Sequence, residues 1–77
     1  MINGAYARSN QMSKAKVIKA LREHFEGIEL WYDRSHASWV FVGECTLEWP
    51  DKYACVYRLS DLSPEQWVEL AQDFSTR

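Results

Sequence analysis

Asp33, Ser35 and His36 lie within four residues of one another and are the residue types of a hydrolytic relay. Such relays are assembled in space from separate elements, and Asp and Ser in a short polar stretch are explained by turn chemistry alone. Cys45 or Cys55 with His36 would make a thiol–imidazole pair, yet each cysteine also reads as a small apolar residue. His24 fits a favourable group near a helix C-terminus. The two Cys and two His show no Cys-x-x-Cys or His-x-x-x-His spacing, so no metal site is expected. Three isolated glycines form no phosphate-cradling loop, so no nucleotide cofactor is expected either. The expectation is a protein that acts by binding and is not an enzyme.

Charge is the first binding signal. Residues 1–22 carry Arg8, Lys14, Lys16, Lys19 and Arg22 without an acid, whereas the remaining chain holds all eleven acids. The net charge of −2 therefore sums two opposed regions. Lys14, Lys16 and Lys19 oppose the dipole at the start of their helix, at a cost of roughly a few tenths of a kcal/mol each. Together with Arg22 they are the candidate anion-binding residues. The opposing candidates are Glu65, Glu69 and Asp73, four apart and hence one stripe of a helix. Both groups also read as ordinary solvated helix faces.

The elements that must position these groups are legible in outline. Residues 1–12 are polar and unpatterned and read as a flexible arm, with a single domain over 13–77. Ser13 is a suitable N-cap, and Val17, Ile18, Leu21 and Phe25 recur at helical spacing, predicting a first helix over about 14–26 closed by Gly27. Three strand-like runs follow at 28–32, 39–42 and 53–59, the first two joined by the polar turn 33–38. Ser63-Pro64-Glu65-Gln66 combines an N-cap, a Pro at the first helical position and a capping-box Gln. Leu62 and Trp67 supply the hydrophobic staple. Trp67, Leu70, Ala71 and Phe74 then form one apolar stripe. The expected fold is α+β, in the order α-β-β-β-α, a three-stranded antiparallel meander with two helices packed on one face.

The second binding signal is aromatic. The chain holds four Trp, four Tyr and three Phe in 77 residues. With both helices on one sheet face, strand alternation places Trp31 on the other. Trp31, Trp39 and Tyr57 are the candidates for a partner-binding or dimer-forming aromatic sheet face. Trp49, beside Pro50, reads first as a lid over the core and second as an anchor for a partner. The α-β-β-β-α order is shared with the double-stranded RNA-binding domain. The lysine-rich entry to the second helix that such domains need is acidic here, so direct nucleic-acid binding is disfavoured.

Length permits one domain, apolar content of 47% excludes a disordered chain, and no apolar run is long enough for a membrane span. The first residues lack the apolar core of an export signal, so a reducing cytoplasm with unpaired Cys45 and Cys55 is expected.

The segment Val56-Tyr57-Arg58-Leu59-Ser60-Asp61-Leu62-Ser63-Pro64-Glu65-Gln66-Trp67-Val68-Glu69 resembles a pattern in small phage, prophage and plasmid accessory proteins. The resemblance implies a mobile-element origin and a stoichiometric inhibitor of host machinery, of the anti-CRISPR type, acting in the bacterial cytoplasm. It transfers no functional residue. The expected partner is a protein, such as a host defence complex, with homodimerisation through the open sheet face an equal reading. A nucleic-acid-binding regulator using the basic first helix is the alternative.

Overall fold

The computed structural model describes residues 14–77. The arm at 1–12 and the Ser13 cap lie outside the described residues. Helix α1 spans Lys14–Arg22 and buries Val17 and Leu21, four apart on one face. It stops before the expected 26. The Leu21 carbonyl accepts from both His24 (3.0 Å) and Phe25 (2.9 Å), tightening the last turn. Gly27 then reverses the chain at φ 75°, a conformation that costs other residues a Cβ clash.

Strands β1 (Glu29–Asp33) and β2 (Ser38–Val42) form an antiparallel hairpin. Leu30 pairs with Phe41, Trp31 with Val40 and Tyr32 with Trp39. Directly opposed residues share a face. Leu30, Phe41, Tyr32 and Trp39 therefore lie on one side, with Glu29, Trp31, Val40 and Val42 on the other. Gly43 follows at φ 129°, where a Cβ would stand 3.0 Å from the Gly27 carbonyl oxygen. The two loops can pass each other there because no side chain intervenes. A 3-10 turn at Glu44–Thr46 leads to Trp49, half-buried and edge-on to Phe25 (5.4 Å) and Phe41 (5.7 Å) as a lid on the core.

The third strand of the expected meander does not form. The described sheet has two strands, and residues 52–56 run beside β2 with one isolated bridge, Val40 to Tyr53. Trp39 bonds two different residues of this segment. Its N–H donates to the Val56 carbonyl (3.3 Å) and its carbonyl accepts from Ala54 (2.9 Å). Between them Cys55 adopts φ 62°, which breaks the pleat as a bulge does. Its N–H donates instead to the buried Ser38 hydroxyl at 2.9 Å. The β-rich composition of 53–59 is therefore used in an irregular edge segment that ends in a 3-10 turn at Leu59–Asp61.

Helix α2 spans Pro64–Ser75 and carries the expected reciprocal cap. Ser63 N–H donates to Gln66 Oε1 (2.9 Å) and Gln66 N–H to Ser63 Oγ (3.2 Å). Trp67, Ala71 and Phe74 turn inward, and the Trp67 indole N–H donates to the Leu59 carbonyl at 3.0 Å. Both helices cover the Leu30–Phe41 face, sealing a core of Val17, Leu21, Ile28, Leu30, Phe41, Ala54, Trp67, Ala71 and Phe74. Phe41 is its centre, edge-on to Trp67 and to Phe74 at 5.8 Å each. Cys45 and Cys55 are free thiols. Among the described residues, no helix is long and apolar enough to cross a membrane.

Candidate functional site

With both helices on one side, the opposite face of the hairpin has no helix over it. Trp31 projects from it with 60% of its surface exposed. The Trp31–Val40 pair and the Val40–Tyr53 bridge continue it as a row across three chain segments. Val42 lies beside this row, and Leu47, 69% exposed, borders the same groove as Val40, Val42 and Tyr53.

The hairpin turn closes one end of this face. Asp33 Oδ1 accepts from the Ser35 N–H (3.0 Å) and the Ser35 hydroxyl (2.7 Å). Asp33 Oδ2 meets His36 Nδ1 (2.9 Å) and accepts from the Tyr53 hydroxyl (2.8 Å). The His36 ring stacks on the Tyr53 ring at 4.4 Å between centroids. The bond from Ser35, followed by that from Tyr53, holds the Asp33 carboxyl well below the usual carboxylate range. The bond to Asp33 raises the Tyr53 phenol above its ordinary value, and burial adds to the effect. Asp33, Ser35 and His36 thus do come together, but as a turn lock. Ser35 Oγ also lies 3.2 Å from His36 Nδ1, so all three side chains are tied together within the turn itself, and neither cysteine is hydrogen-bonded to His36.

The predicted aromatic face is corrected. Trp31 alone of Trp31, Trp39 and Tyr57 occupies the open side. Trp39 is paired with Tyr32 on the helix-covered side, their rings 5.5 Å apart. Tyr57 follows the Cys55 kink, stays 66% exposed and lies edge-on to Tyr32, itself 37% exposed, at 6.1 Å. Lys14 Nζ sits 6.0 Å from the Trp39 ring centre, and among the described residues the buried Trp39 indole N–H has no hydrogen-bond partner. Period-two alternation decided Trp39. The left-handed residue Cys55, which no residue type announces, decided Tyr57. Sequence reasoning missed Tyr53 as a member of the face, although its place at the start of the third run was visible.

The charged candidates hold their predicted elements. Glu65, Glu69 and Asp73 are exposed along α2, with Asp73 paired to Arg77 at 2.6 Å. Lys14, Lys16, Lys19 and Arg22 are exposed on α1 but spread over about 200° of its circumference at 3.6 residues per turn. Arg22 clasps β1, donating from Nε to the Ile28 carbonyl (3.1 Å) and pairing with Glu29. Among the described residues, no group of three or more His, Cys, Asp or Glu side chains could hold a metal ion.

No protein-family model matches the chain, and no characterised protein or solved structure matches it either. The reading of function rests on the geometry.

Proposed function

We propose that the chain is a non-enzymatic protein-interaction module whose open hairpin face docks a basic surface of a protein partner. The observation that carries this reading is Trp31, an exposed indole in a row with Val40 and Tyr53 on the face opposite both helices. Trp in a central apolar patch is the residue type that dominates interface energy. Charge supports a basic partner: Asp33 stands beside Trp31 on its own face, Glu29 there is paired with Arg22, and Glu65 and Glu69 line α2, whose Asp73 is paired with Arg77. The most concrete version is a phage or mobile-element accessory protein that inhibits a host defence complex in the bacterial cytoplasm, in the manner of an anti-CRISPR protein. There the α2 carboxylates would stand in for nucleic-acid phosphates against a basic channel. A nucleic-acid regulator using Lys14, Lys16, Lys19 and Arg22 ranks second, because these bases are dispersed and Arg22 is engaged with β1.

The test compares capture from host lysate by wild type, Trp31→Ala and the triple variant Glu65→Lys/Glu69→Lys/Asp73→Lys. One protein held by wild type, lost by Trp31→Ala and released by added salt supports the reading. Equal recovery on all three baits, or none on any, refutes it. Light scattering of wild type decides between a partner and a second copy, since a monomer ends the dimer version.

A further inference from the structure

The imidazole of His36 is oriented more firmly than an exposed turn residue requires. Its side chain is 58% exposed, yet one face rests on Tyr53 and Nδ1 is held at 2.9 Å by Asp33. The carboxylate only accepts, and it already accepts from Ser35 and Tyr53. The Ser35 hydroxyl, 3.2 Å from Nδ1, gives its proton to the same carboxylate, so Nδ1 is the donor and in the neutral ring Nε2 keeps its lone pair. A carboxylate behind one ring nitrogen fixes the tautomer and the orientation of the ring. The ring belongs to the open face, because it rests on Tyr53, which the Val40 bridge puts in line with Trp31, and is bonded to Asp33. Asp33 itself stands two residues from Trp31 on the same side of β1, about 7 Å along the strand.

From this juxtaposition we propose that Trp31 and His36 form a subsite for an arginine side chain of the partner. The indole supports the flat face of the guanidinium, and His36 Nε2 accepts one of its N–H groups. Arginine fits better than lysine because it stacks and offers N–H donors in a plane, while ammonium is compact and strongly hydrated. Asp33 and Tyr53 act as positioning residues. Among the described residues, Arg34 in the same turn and Lys52 in the groove beside Tyr53 are the opposing charges. The subsite rests on the docking reading above and names the partner chemistry it selects.

The test uses the full chain with isotopically labelled histidine and tryptophan and a short arginine-rich peptide as probe. In the free protein at mildly alkaline pH, the ring ¹⁵N resonances of His36 should show a proton on Nδ1 and none on Nε2. A proton on Nε2 overturns the proposal. Added peptide should shift His36 Nε2 and the Trp31 indole resonance together, with the equivalent lysine peptide binding more weakly. His36→Phe keeps the stack on Tyr53 but removes the acceptor, and should weaken binding roughly tenfold, the size of a hydrogen bond to a charged group. His36→Gln should recover part of that loss. A response at Trp31 without one at His36, or undiminished binding by His36→Phe, overturns the subsite and leaves the docking face standing. Silence at both residues overturns the subsite, and the capture experiment then judges the face on its own.

Discussion

Ser38 is the peg on which the irregular third segment hangs, and Ser38→Ala should loosen that segment selectively. The side chain is buried and makes two hydrogen bonds, accepting from Cys55 N–H at 2.9 Å and donating to the Trp39 carbonyl at 3.2 Å. Alanine leaves the Cys55 N–H without its partner, at a cost of about 1–3 kcal/mol. A domain of this length has a total stability of roughly 4–12 kcal/mol, so the loss is a visible fraction. At about 4–8 °C per kcal/mol, the thermal midpoint should fall by roughly 4–24 °C. Circular dichroism would follow the midpoint, and hydrogen exchange of the Cys55 amide would follow the local opening. That amide should exchange faster in Ser38→Ala even where the protein is fully folded. Cys55→Gly provides the control. It retains the hydrogen bond and removes the Cβ from a left-handed residue, so it should be neutral to about 1 kcal/mol stabilising. A Ser38→Ala protein within about 0.5 kcal/mol of wild type and with unchanged Cys55 amide exchange would refute the peg.

Phe41→Ala should cost about 3–5 kcal/mol, because the ring is fully buried at the meeting point of Trp49, Trp67 and Phe74; urea denaturation read by tryptophan fluorescence measures it. Asp33, whose folded carboxyl titrates below its ordinary range, contributes stability that is fully present above the usual aspartate value and is lost as pH falls through the folded one. Tyr53 behaves oppositely: its raised phenol contributes stability below the usual tyrosine value that disappears as pH rises through the folded one. Unfolding curves across pH should therefore flatten at both extremes in Asp33→Asn, and an unchanged acid limb would contradict the assignment. Ser63→Ala removes the α2 cap and should cost about 1 kcal/mol, measurable as a lower urea midpoint.

Local chemistry explains why the helices were legible. Ser63, Pro64, Gln66, Leu62 and Trp67 sit at fixed offsets along one stretch of chain, and each acts on its near neighbours. The β1–β2 hairpin was legible for a similar reason, since two apolar-alternating runs flank a polar turn. Register then followed from burial, with Leu30 opposite Phe41 under the helices and Trp31 outside. The Arg22 clasp on Ile28 and Glu29 was not legible, because it joins residues six and seven apart across a chain reversal.

The sequence by itself determined two capped or closed helices, one hairpin, a segregated charge and the exposure of Trp31. These depend on propensity, periodicity and short-range hydrogen bonding. Tertiary structure alone decided the fate of residues 53–59. Their composition suits a strand, but Ser38, seventeen positions earlier, takes the Cys55 N–H and holds Cys55 left-handed. That contact ends the alternation, turns the exposed Tyr57 toward Tyr32 and leaves Tyr53 in line with Trp31. It also brings the Tyr53 hydroxyl to Asp33, twenty residues away. A turn that reads as three polar residues thereby becomes a fixed carboxylate–imidazole pair. Long-range side-chain contacts of this kind depend on where the whole chain packs, and no spacing along the sequence encodes them.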